Sequence, residues 1–154
     1  MNRFENLLIE SEDNDITVVE KAFKSNAKGL CKGKKIGLNC NIKTTKEKYC
    51  ILAEEIGHYK TTVGDILDQR IAENRKQELQ ARMYAYNKLI GLQGLIDCYE
   101  VGCTNIHEMA EYLDVTERFV LDALEAYERK YGMQVKLHNY IIRFNPSLSV
   151  IKII

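Results

Sequence analysis

Apolar positions recur along this chain with two periods, and the changes of period divide it into elements. Phe4, Leu7 and Leu8 stand at helical spacing and predict a short helix over 3–11. Asp13-Asn14-Asp15 breaks it. Ile16-Thr17-Val18-Val19 is β-branched and predicts a strand, and Gly29–Cys31 and Lys35–Leu38 are two further short strands with Gly33 as the turn between them. Residues 16–38 are therefore expected to form a small antiparallel sheet. Thr44-Thr45-Lys46-Glu47 has the hydroxyl-to-glutamate spacing of a capping box and opens a helix running to about Tyr59. Thr61-Thr62-Val63-Gly64 is a break, and a long helix is expected from about Asp65 to Ile90. Gly91 and Gly94 weaken the chain there, which divides it into residues 1–91 and 92–154.

The second part reads as helices followed by strands. Leu92–Tyr99 and Ile106–Leu113 are short helices, and Thr116 caps a third that reaches Tyr131 and stops at Gly132. Met133–Leu137 and Tyr140–Phe144 alternate around His138-Asn139 and predict a β-hairpin, which Pro146 terminates. The fold class is α+β.

Composition narrows the function. At 154 residues the chain can bury a core without disulfide or metal staples, and 22 basic against 22 acidic residues leave no net charge to draw it to nucleic acid or an anionic membrane. No apolar run is long enough to span a bilayer, and Met1–Asn6 contains no signal-peptide apolar region, so a cytoplasmic protein without membrane contact is expected. The five cysteines include no Cys-x-x-Cys pair and read as idle thiols of a reducing compartment. Charge is segregated: Lys24 to Lys48 is lysine-rich and Glu108 to Glu128 is mostly acidic. The lysine stretch lacks the interleaved aromatics of a single-strand groove and reads as solvated surface. Asn105–Tyr131 followed by a hairpin has a winged-helix outline, but the outward positions of its second helix include Glu117, Asp122, Glu125 and Glu128, which would repel phosphates.

The stretch that carries chemistry is Leu52-Ala53-Glu54-Glu55-Ile56-Gly57-His58. On a helix Glu54 and His58, four apart, share a face, and Glu55 lies three before His58. This is the spacing of the His-Glu-x-x-His zinc helix, whose outer residues bind metal and whose inner Glu handles the proton of water. Glu54 stands where that motif has its first His. An acidic helix edge with a Glu–His pair is the plainer reading of the same residues. In the long helix Ile71, Glu78 and Ala85 are seven apart, with Ala81 and Leu89 on the same stripe, while Gln80, Glu73, Lys76, Gln77 and Asn87 take the wet face. A carboxylate on an apolar stripe needs a partner or a metal. Glu78 is either a third ligand with Glu54 and His58, leaving a fourth position for water, or a surface partner of Arg82 or Arg75.

These segments resemble the ImmA/IrrE metallo-endopeptidases of bacterial prophages and other mobile elements. Leu52-Ala53-Glu54-Glu55-Ile56-Gly57-His58 is similar to that family's Leu-Ala-His-Glu-Leu-Gly-His. Glu78 to Ala85 is similar to its Glu-rich segment ending in Ala-x-x-(aromatic)-Ala, and Lys35–Asn39 to its edge strand. The resemblance covers roughly residues 1–90, with a weaker echo in Glu111–Glu117. It implies a zincin-like N-terminal part, to which the helical C-terminal part ending in a hairpin is appended. It also implies a zinc-dependent peptidase in which Glu54, His58 and Glu78 hold the metal and Glu55 is the general base and then the acid. The substrate it implies is a transcriptional repressor encoded by the same element.

Two departures bear on activity. Glu54 adds negative charge to the ligand set, which lowers the Lewis acidity of a bound ion, and Gln80 replaces a second family Glu. Two carboxylates and one imidazole suit Mn or Fe as well as Zn. The competing expectation is a zincin-fold protein that binds a repressor or another partner without cutting it.

Overall fold

The computed structural model describes residues 2–61 and 71–154. The expected break after Thr61 and the expected helix start at Asp65 lie outside them. The chain is α+β, and it divides into two compact units, Met1–Ala85 and Tyr86–Ile154.

The first unit begins with α1 (Arg3–Asp13), whose N-terminus is closed by a reciprocal cap. Asn2 Oδ1 accepts from the Glu5 N–H at 2.8 Å, and the Asn2 N–H donates to Glu5 Oε2 at 3.1 Å. The strands β1 (Thr17–Lys21), β2 (Gly29–Lys32) and β3 (Lys35–Asn39) form one sheet in the order β1-β3-β2. β2 pairs with β3 antiparallel, as the short Gly33 turn requires, but β1 pairs with β3 in parallel. The expectation of a wholly antiparallel sheet is corrected here. The seven residues between β1 and β2 carry the chain past the first strand's partner position, so β3 enters between them running the same way as β1. As the central strand β3 is covered on both faces: Ile36 and Leu38 are fully buried, and the Phe23 ring lies 3.3 Å from where a Gly37 side chain would begin.

Helix α2 (Thr45–Thr61) packs on β2 and β3 and against α1. Thr44 caps it, its Oγ1 accepting from the Glu47 N–H at 3.2 Å, while the Glu47 carboxylate turns to Lys28. Leu52, Ala53 and Ile56 enter the core beside Leu7 and Ile16. α3 (Ile71–Leu89) follows and buries Ala81, Ala85 and Leu89.

In the second unit α4 (Gly91–Glu100), α5 (Ile106–Leu113) and α6 (Glu117–Tyr131) surround a core of Leu95, Val115, Val120, Ala123 and Tyr127. The Thr116 cap holds as expected, its Oγ1 accepting from the Phe119 N–H at 3.1 Å, and Gly132 ends α6 at φ +83°. The outward carboxylates of α6 are partly matched on the helix itself, with Arg118–Asp122 at 3.0 Å and Arg129–Glu125 at 2.6 Å.

β4 (Gln134–Leu137) and β5 (Tyr140–Arg143) form the expected hairpin around His138. Pro146 does not end the sheet. A third strand, β6 (Ser149–Lys152), returns antiparallel to β5, because the proline lies in the connection and takes no place in the hydrogen-bond ladder. Among the described residues no helix is long and apolar enough to cross a membrane.

Candidate functional site

The predicted site residues sit on α2 and α3, and a missing side chain brings the two helices together. A Cβ on Gly57 would stand 2.3 Å from the Ala81 carbonyl oxygen, far inside contact distance, so α3 comes this near only because residue 57 is glycine. Fully buried Ala81 completes the close approach. Beside this crossing, His58 Nε2 lies 3.2 Å from Glu78 Oε2. Arg82 Nε donates to the other oxygen of Glu78 at 3.1 Å.

Glu78 is not the buried carboxylate that its place on the apolar stripe suggested. Its side chain is 42% exposed, whereas Ala81, Ala85 and Leu89 on the same stripe are buried. The burial cost that would demand a metal is therefore small, and Glu78 faces His58 across the helices while it pairs with Arg82 along its own. Gln77, expected on the wet face, is instead half-buried with its amide oxygen shut from solvent.

Glu55 projects from α2 toward β2. Its Cγ and Oε1 lie 2.8 and 2.9 Å from where a Gly29 side chain would begin, so its carboxyl rests against the strand. Burial in this seam pushes its pKa up to about 7, and the charges of Glu54 and Glu78 push the same way. Cys31, two residues further along β2 and on the same face, is pushed up to about 11 by burial first and by Glu55 second. Glu54 lies half-exposed one turn before His58. Tyr59 is also half-exposed, with Lys60 Nζ 5.9 Å from its ring centroid, and Asp65 lies outside the described residues.

Of the three predicted ligands, the structure brings His58 and Glu78 together. Among the described residues no group of three or more His, Cys, Asp or Glu side chains is arranged to hold a metal ion. The donor types nonetheless fit a divalent ion such as zinc: one imidazole nitrogen and a carboxylate from a second helix already converge on the same space.

Two residues of the site escaped sequence reasoning. A glycine in the middle of a helix is a recognised sign of close approach, so Gly57 could have been found from its position. Gly29 leaves no comparable sign, because it opens a strand beside a loop where glycine is common.

Residues 11–125 of the chain match the IrrE N-terminal-like domain, a peptidase family. The match runs beyond the residues 1–90 that carried the resemblance, through α4 and α5 and into α6. No curated protein and no solved structure matches the chain.

Proposed function

This chain belongs to the peptidase family of IrrE N-terminal-like domains, and on that premise we propose that it is a zinc-dependent metallo-endopeptidase of a prophage or other mobile element. Its proposed substrate is a cytoplasmic protein, the transcriptional repressor of that element. The observation that supports the reading is the meeting of His58 and Glu78 across two helices with the Glu55 carboxyl on the adjoining turn.

In this reading Glu54, His58 and Glu78 would hold zinc. The chemistry zinc supplies in such a site is Lewis-acid activation of water and of the scissile carbonyl. The chain's own part falls mainly to Glu55. As a carboxylate it takes a proton from the attacking water onto an Oε atom, and as a carboxylic acid it returns that proton to the leaving amine nitrogen. A group poised near pH 7 serves both steps, since neither protonation state is costly to reach at neutral pH. The seam between α2 and β2 shields one side of the carboxyl from bulk water and so fixes the direction of the transfer. His58 contributes orientation through Nε2, and Arg82 steadies Glu78 by occupying its second oxygen.

The test is cleavage of fluorescein-labelled casein by the zinc-loaded protein, compared with Glu55→Gln. The reading expects wild-type cleavage that a chelator stops, and a loss of about a hundredfold or more in the variant, the usual range for removing a general base. Equal cleavage by both proteins would refute it. Glu54, with its extra negative charge in the ligand set, favours a second reading in which the fold binds a repressor without cutting it. In that case both proteins retain the partner intact, with and without chelator.

A further inference from the structure

Gly29 is the first residue of β2, on the face turned to α2. A Cβ there would stand 2.7 Å from Ile51 Cγ2, 2.8 Å from Glu55 Cγ and 2.9 Å from Glu55 Oε1. Gly33, in the following turn, needs glycine for its φ of +59°, whereas Gly29 has a backbone conformation open to any residue. Glycine in a strand gives up packing and conformational entropy, so the space it leaves needs a reason. The neighbours that fill this space are the Cγ2 methyl of Ile51 and the Cγ and Oε1 of Glu55, two side chains on one turn of α2, and one of them is the candidate base.

We propose that Gly29 is a positioning residue: the room left by its missing side chain is the slot that holds the Glu55 carboxyl against β2, in the orientation its proton transfers require. The proposal rests on the reading of Glu55 as the base. The three atoms nearest to a methyl group at residue 29 all belong to side chains, so the strand and helix can stay in place while Glu55 swings out. Leu30, the next residue, is exposed on the opposite face and serves as the control. Cys31, which feels the Glu55 charge, serves as the reporter.

The experiment is a double-mutant cycle on the full chain, read by peptide-resolved iodoacetamide alkylation of Cys31 at pH 8. The proteins are wild type, Gly29→Ala, Glu55→Gln, the double variant and Leu30→Ala. A carboxylate beside a thiol suppresses its reactive thiolate, so Glu55→Gln should speed alkylation by about threefold. Gly29→Ala should produce a similar gain alone, no further gain in the Glu55→Gln background, and Leu30→Ala none. An equal change from Gly29→Ala in both backgrounds would mean that the strand itself moves, and no change in either would mean that Glu55 stays put; each result overturns the slot.

Casein hydrolysis by the zinc-loaded proteins supplies the catalytic readout. Gly29→Ala should lower kcat by about a hundredfold, the cost of a displacement near 1 Å, with KM within about twofold. Unchanged kcat alongside a displaced Glu55 would overturn the positioning role. Absence of any wild-type cleavage would instead reject the peptidase reading, while the alkylation cycle would still decide whether Gly29 makes the slot.

Discussion

Glu55 holds its proton more tightly in the folded chain than in the unfolded one, and that has a consequence for stability. Its pKa rises from 4.5 to about 7 on folding, chiefly through burial. Between those two values the folded state keeps a proton that the unfolded state has released, so raising the pH across this window destabilises the fold. For the metal-free protein the penalty is fully present above about pH 7, absent below about 4.5, and on the order of 3 kcal/mol. Glu55→Gln removes it. The variant should therefore melt higher than wild type at pH 8 and converge with it near pH 4, measured by circular dichroism in the presence of a chelator. Equal melting at both pH values would contradict the buried setting of this carboxyl.

The same residue shows what the sequence makes readable at this scale. Spacing along one helix places Glu54, Glu55 and His58 on neighbouring faces, and the helix is real. Glu78 stands out in the sequence for sitting on an apolar stripe, yet its side chain is only half-buried, and its importance lies in meeting His58. That meeting depends on how two helices cross, which leaves no period in either. Gly29 was invisible for the same reason: a contact between a strand and a helix is written in neither pattern.

Between elements, Gly57 is the decisive small residue. Alanine in a helix interior normally gains about 1 kcal/mol over glycine. Here the added methyl group would strike a backbone carbonyl at 2.3 Å, which cannot rotate away, and overpacking of this kind costs about 1–3 kcal/mol. The clash outweighs the propensity, so Gly57→Ala should lower stability in urea denaturation by up to about 2 kcal/mol net. It should also weaken zinc binding by separating His58 from Glu78. A more stable variant with intact zinc affinity would refute the close approach.

In the second unit the fully buried Tyr127 hydroxyl accepts from the Gly91 N–H at 3.2 Å, satisfying a donor at the start of α4. Tyr127→Phe should cost about 1–2 kcal/mol in denaturant unfolding, the usual cost of leaving a shielded amide unpaired. Element existence was well read from periodicity here, and α5 and the cap and stop of α6 fall where Asn105, Thr116 and Gly132 put them. Strand partnership was not. The parallel alignment of β1 with β3 and the return of β6 after Pro146 depend on loop paths, and short loops carry no hydrophobic pattern to reveal them.

Across the whole molecule the basic and acidic residues cancel, and the function suggested here asks nothing of long-range charge. What it asks is a local arrangement of two helices and one strand, which the α+β fold provides within Met1–Ala85. The family match extends past that unit to residue 125, so the sequence relationship includes helices that the motif residues do not touch. Motifs made the family legible from residues 1–90. The helices beyond were harder to relate because their amphipathic pattern is shared by many unrelated folds.

The central claim is that His58 and Glu78 are metal ligands beside a general base. Metal content by mass spectrometry on untagged protein tests it most directly, with wild type beside His58→Ala and Glu78→Ala. The claim predicts about one equivalent of zinc in the wild type, as for a single tetrahedral site, and loss of the metal in both variants. Zinc retained by both variants, or no zinc in wild type even after it is supplied, would contradict it.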